Sequence, residues 1–207
     1  IVDDEACRYA SNMEIIRRYY KCLCDQKRTG VNSQEIYKIE LLMNQAGITP
    51  SSRPVVNAAL EKSAKNGDKP AVAIELEDGT IVTGKTGDLL GAASSALLNA
   101  LKQLAGIDDS VDLLSPESIS PIQTLKTNYL GSRNPRLHTD EILIALSSSV
   151  VANPLADKAL KQIPKLYACD VHSTVILSAV DKDTFKRLGM NLTCEPAYEE
   201  EKRFHKN

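Results

Sequence analysis

The sequence predicts an α/β protein in two parts. Residues 1–68 form an N-terminal helical subdomain, and residues 69–207 form a three-layer α/β/α domain on a mixed sheet of about five strands. Three observations predict this. Apolar side chains recur at three- and four-residue spacing throughout the first third, with no alternating stretch. The period switches near residue 70, where two β-branched runs flank Asp78-Gly79. From there to the C-terminus helical and strand-like stretches alternate, an order that puts helices on both faces of a sheet.

The elements follow in order. Residues 4–29 carry Ile15, Ile16, Tyr19, Tyr20 and Leu23 on one side, with Arg17, Arg18 and Lys21 between them, and Gly30 is a natural stop. Asn32 or Ser33 caps a second helix whose apolar side uses Ile36, Ile39, Leu42 and Met43 and which ends at Gly47. Ser51-Ser52-Arg53-Pro54 opens a third helix running to about Lys65. Ala71–Leu76 and Thr80–Thr83 read as a hairpin around Asp78-Gly79. Gly91–Ala105 is a long helix rich in small residues, and Val111–Leu114 a short apolar strand. Ser120-Pro121 is expected to cap and start the next helix, and Gly131–Pro135 is a loop. Helices follow from Thr139 to Val151 and from Asn153-Pro154 to Ile163. Val171–Leu177 reads as a central strand, Asp181–Leu188 as a helix closed by Gly189, and Met190–Cys194 as the last strand. Glu199–Arg203 reads as a solvated charged segment.

A hairpin feeding a small-residue helix resembles the opening of the cytidine-deaminase-like architecture. The zinc motif of those enzymes needs His or Cys with Glu at that helix start, then Pro-Cys-x-x-Cys. Here the helix starts Gly91-Ala92-Ala93-Ser94-Ser95, and Ser115-Pro116-Glu117-Ser118 stands at the later place, so deaminase chemistry is excluded.

Composition narrows the partners. Lys plus Arg total 25 against 27 Asp plus Glu, a net charge of −2, which removes the basic surplus that nucleic acid or an anionic membrane would require. Two Phe, seven Tyr and no Trp leave little material for base stacking. The longest apolar run, Ile142–Ala152, is interrupted by Ser147, Ser148 and Ser149 and falls short of a membrane span. Five cysteines, with no signal segment and with Cys22 and Cys24 as the one close pair, predict reduced thiols in the cytoplasm and no metal site. The chain opens on Ile1-Val2-Asp3-Asp4 and reads as part of a longer protein.

Four stretches carry candidate chemistry. Gly79–Thr86 satisfies the G-x-x-x-x-G-K-[ST] phosphate-loop pattern, but Asp78-Gly79 marks a hairpin and Thr80–Thr83 favours an extended strand over a curled loop. Lys85 is retained as a candidate anion contact because it precedes a helix N-terminus. Leu130–His138 sets Arg133, Asn134, Arg136 and His138 around Pro135, and arginine offers a planar, permanently charged fork for phosphate or carboxylate. The competing expectation pairs these arginines with carboxylates of the protein or across an interface. On the strand at Val171, His172 and Thr174 point to one face and Ser173 to the other, so His172 and Ser173 are no base–nucleophile pair. His172 is either a buried, hydrogen-bonded side chain or a pocket base, and the functional reading gains if it meets His138 in space. Ser95, Asn99 and Lys102 share a helical face that is either a cleft lining or an exposed side.

Several blocks together resemble one bacterial family. They are Glu14–Tyr20, Lys38–Asn44, Gly47–Pro50, Ile81–Lys85, Leu130–His138, His172-Ser173-Thr174 and Leu188–Thr193. In this order they are similar to the domain of unknown function 1846 family, also called uncharacterised protein family 0371, from about Ser11 onward. The resemblance implies that the chain is the C-terminal part of a longer cytosolic protein, whose N-terminal region holds a Gly-rich stretch and is a partner of this part. It implies no reaction and no cofactor. The expected function is therefore a share in a pocket for a small anionic ligand, with Lys85, Arg133, Asn134, Arg136, His138 and Thr174 as contacts and His138 and His172 as the candidate catalytic groups. An oligomerisation or domain-packing module, including a homo-oligomer, is the first alternative, and a stand-alone transferase or hydrolase the second.

Overall fold

The computed structural model describes residues 3–199. Helix α1 (Asp4–Thr29) is capped by Asp3, whose Oδ1 accepts the Ala6 N–H at 2.9 Å, and Gly30 ends it at φ 74°. Helix α2 (Ser33–Ala46) returns along it, and Met13, Ile16 and Tyr20 pack against Ile36, Ile39 and Met43. Helix α3 (Pro54–Ala64) instead lies on the sheet, where Val55 and Ala59 cover Ala73.

Among the described residues the sheet has four strands in the order β2-β1-β3-β4: β1 (Ala71–Glu75), β2 (Ile81–Lys85), β3 (Asp170–Ser173) and β4 (Asn191–Cys194). β1 runs antiparallel to β2 and β3, while β3 and β4 are parallel. Period-two alternation divides the faces. Val72, Ile74 and Val171 point into the main core with helix α4 (Ala92–Leu104), and Ala73 and His172, paired in register, face the α3 side. The sheet is thus mixed and covered on both faces.

The β1–β2 hairpin turns at Asp78-Gly79, with Asp78 Oδ1 accepting the Thr80 N–H at 2.9 Å and Gly79 at φ 81°. The G-x-x-x-x-G-K-T stretch is accordingly mostly strand. Its second glycine has a packing cause: a Cβ on Gly84 would lie 2.1 Å from Ala96 N, so α4 rests directly on the β2 backbone.

The structure departs from the sequence reading in three places. Val111–Leu114 is irregular rather than a strand; Leu113 and Leu114 are buried among side chains, and Leu113 O accepts from Asn153 Nδ2 at 3.3 Å. A short apolar run signals burial without specifying a ladder. Helix α5 (Pro116–Thr124) begins at Ser115-Pro116, not Ser120-Pro121, and carries Pro121 inside it before widening into a π turn, Leu125–Tyr129. Strand β3 stops at Ser173, whose hydroxyl donates to Val175 O at 2.7 Å and bends the chain out of the sheet.

Helix α6 (Thr139–Ser149), helix α7 (Pro154–Leu160) and helix α8 (Ala179–Arg187) complete the order, α8 linking the two parallel strands. No helix among the described residues is long and apolar enough to cross a membrane. Of the Glu199–Arg203 segment only Glu199 falls within the described residues.

Candidate functional site

Two loops are fastened together at the N-terminal end of α4. Leu137 N–H donates to Leu89 O at 3.0 Å, Gly91 N–H donates to Leu137 O at 3.4 Å, and Ser94 Oγ donates to the same carbonyl at 2.8 Å. The loop before α6 is also braced from within. Ser132 Oγ donates to Asn134 O at 3.2 Å, and Asn134 Oδ1 accepts the Arg136 N–H at 3.1 Å. From below, the π turn holds it: buried Lys126 donates to Arg136 O at 2.6 Å and to Glu141 Oε2 at 2.7 Å, while Glu141 accepts the His138 N–H.

This bracing frames a cleft of about 870 Å³, lined by Arg133, Asn134, Arg136 and His138, the first turn of α4, and the chain leaving β3 as far as Ser178. α4 has no side-chain cap and no acidic residue in its first turn. Ala92 and Ala93 of its first turn line the cleft, where the positive end of the helix dipole favours an anion. Arg133 is exposed and makes no hydrogen bond or ion pair with the described residues. Arg136 is buried and pairs through Nη1 with Glu199 Oε1 at 2.8 Å.

His138 Nδ1 lies 3.1 Å from Asp181 Oδ2. The hydrogen bond to Asp181 raises the imidazole above its ordinary pKa, against burial and the nearby Lys126. Burial would raise the Asp181 carboxyl, but donors from His138, Thr139 and Ser178 hold it below its usual range.

The sequence-predicted residues therefore separate. Arg133, Asn134, Arg136 and His138 converge; Lys85, Thr174 and His172 lie elsewhere. Lys85 lines a different groove of about 570 Å³, with Lys62 and Lys102, where Ser95 and Asn99 also face. Thr174 Oγ1 is occupied in accepting the Ala71 N–H at 3.0 Å. His172 is fully buried on the α3 side of the sheet. Its Nδ1 is 2.9 Å from Thr193 Oγ1, its Nε2 is 3.2 Å from Glu195 Oε1, and its ring packs on Tyr20 at 4.9 Å. Burial depresses its pKa despite Glu195. A neutral ring with the proton on Nε2 donates to Glu195, which also accepts from Tyr20 at 2.9 Å, and the Thr193 hydroxyl lies between His172 Nδ1 and Val171 O, 3.2 Å away. His172 and His138 do not meet.

Asp181 and Glu199 were not singled out from sequence. Ser178-x-x-Asp181 is a visible helix-start pattern, and Ser178 Oγ does accept the Asp181 N–H at 3.1 Å, but nothing in it announces His138. Among the described residues no three His, Cys, Asp or Glu side chains are grouped to hold a metal.

The family model for the C-terminal domain of unknown function DUF1846 matches residues 51–204, and the model for its N-terminal domain matches residues 1–47. The chain belongs to the DUF1846 family. It is similar to UPF0371 proteins of Corynebacterium efficiens and Corynebacterium diphtheriae, each 54% identical over 206 residues, covering 100% of this chain and 41% of the relative. A UPF0371 protein of Streptococcus thermophilus is 48% identical over 206 residues, covering 42% of its length. The chain thus spans about two fifths of the curated relatives it matches. The two DUF1846 models meet between residues 47 and 51, ahead of α3, which packs on the sheet.

Proposed function

We propose that the cleft at the α4 N-terminus binds a small anionic ligand bearing phosphate or carboxylate. One observation carries the reading: Arg133 stands without a carboxylate partner among the described residues, on the same cleft as an uncapped helix N-terminus free of acidic side chains. Arg136 and His138 add donors, and Asn134 shapes the loop that presents them. Lys85, Thr174 and His172 are left out of this site. The remaining length of the relatives' chains is the proposed partner that completes it. Five free cysteines suit a reducing compartment, and a cytoplasmic location belongs to the same reading.

A second reading, a packing surface for a preceding domain or another copy, is favoured by Leu125, Tyr129 and Leu130, which leave 51%, 78% and 73% of their surface exposed beside the loop. A thermal-shift screen with inorganic phosphate separates the two. A ligand at about a hundred times its Kd stabilises by about 2.7 kcal/mol, which for a chain of this size raises Tm by roughly 5–10 °C. Arg133→Met is expected to abolish most of that rise. A phosphate shift unchanged in Arg133→Met rejects the assignment.

A further inference from the structure

His138 carries chemistry that anion binding through arginine and helix amides does not use. Its partner Asp181 is buried and accepts four bonds: His138 Nδ1 at 3.1 Å, Thr139 N–H at 2.9 Å, Thr139 Oγ1 at 3.0 Å and Ser178 Oγ at 2.8 Å. A carboxylate so surrounded by donors stays ionised, so Nδ1 keeps its hydrogen and Nε2 is the position where a proton comes and goes. Nε2 has no partner among the described residues, and the side chain is 25% exposed on the cleft wall. Ser178 does not make this a Ser–His–Asp triad. Its hydroxyl donates to Asp181 Oδ2 and sits on the Nδ1 side, 3.4 Å away, so it does not face the free nitrogen.

We infer that His138 is the proton-carrying group of the cleft: backed by Asp181 at Nδ1, its Nε2 takes up a proton as a tetrahedral dianion of the phosphate or sulfate type binds, and donates it as a hydrogen bond to an oxygen of that anion. The inference rests on the anion-binding reading and names its ligand class. With Asp181 set against the imidazolium and Glu199 against Arg136, Arg133 and the helix end, roughly half a charge, leave the cleft net positive once His138 is protonated. Among the described residues, the charged groups acting on the ring are Asp181 on α8, Glu141 on α6 and Lys126 on the π turn, and Arg133 and Arg136 on the loop and Glu199 beyond β4 line the same cleft. Asp181 and Glu141 favour the protonated ring, whereas burial and Lys126 oppose it. A bound dianion adds to the first group, so binding and proton uptake are linked.

Sodium sulfate tests this well, since it stays dianionic from pH 6 to 9 and any proton taken up comes through the protein. Isothermal titration in two buffers of different ionisation enthalpy is expected to show up to one proton bound per sulfate. The affinity should fall about tenfold per pH unit on the alkaline side of the His138 transition. In His138→Asn, sulfate should bind with a flat pH profile and no proton uptake. The wild-type chain gives a second readout that needs no variant: the pH midpoint of the His138 ring ¹⁵N shifts should rise by about half a unit or more with sulfate. Sulfate binding with no proton uptake and no change in that midpoint overturns the inference and leaves the anion reading standing. No sulfate binding at any pH overturns both.

Discussion

Gly84 offers a sharp test of how the G-x-x-x-x-G-K-T stretch is used. In a phosphate loop the second glycine frees backbone N–H groups for a ligand; here it lets α4 touch β2. A Cβ at position 84 would sit 2.1 Å from Ala96 N and 2.6 Å from Ala96 Cα. Ordinary contact lies near 3.5 Å, so the helix must retreat by about 1.4 Å. No rotamer relieves the clash, because the struck atoms are backbone. A gap of 0.5–1 Å already forfeits about a quarter to a half of each contact's attraction, and Ala93, Ala96, Leu97, Ala100 and Leu101 are all buried under that helix. Gly84→Ala is therefore expected to cost about 3 kcal/mol, the upper end for overpacking, and to lower Tm by roughly 6–12 °C. Gly79→Ala is the control: its Cβ meets nothing within 4 Å, so only the positive φ is penalised, at about 1–2 kcal/mol. Urea unfolding followed by circular dichroism measures both. A Gly84→Ala protein as stable as the parent, with phosphate binding lost, would refute the packing argument and restore the phosphate loop.

The two described histidines should pull stability in opposite directions with pH. His138 has a raised folded pKa, so its contribution is full below its unfolded value near 6.5 and fades as pH rises through the folded value. His172 has a depressed one, so its environment destabilises the fold as pH drops below about 6.5 and the unfolded chain takes the proton. Urea midpoints from pH 5.5 to 8 should therefore fall on acidification in His138→Asn and rise on acidification in His172→Asn, and equal slopes in both would contradict the assignments. Arg53 is fully buried and binds Val171 O, Asn191 O and Asp170. Arg53→Ala leaves those acceptors and a buried void, so a loss of about 3–5 kcal/mol is expected in the same assay; a loss under 1 kcal/mol would show that the tie is dispensable.

Helix boundaries were legible where the chemistry is local. Gly30, Gly47 and Gly189 all adopt positive φ at helix ends, as their positions after apolar-periodic stretches imply. Val111–Leu114 was not, because burial and β-branching speak to hydrophobicity and not to whether a neighbouring strand exists. Half of the cleft was legible for the same local reason: Arg133, Asn134, Arg136 and His138 sit within one loop. Asp181, 43 positions from His138 in sequence, reaches it because α6 and α8 pack together, and a capping pattern cannot report that. Alternation correctly separated the faces of His172 and Ser173. Which face meets a cleft and which lies under helices depended on where α1 and α3 settle, as Tyr20 against His172 shows.

The claim that an anion seats between Arg133 and the α4 N-terminus is tested most directly by ¹H–¹⁵N NMR titration with inorganic phosphate. Saturable shifts at the Ala92 and Ala93 amides and the Arg133 side chain, at one common Kd, are the expected result. Shifts centred instead on Lys62, Lys85 and Lys102, or a linear drift with no saturation, would contradict it.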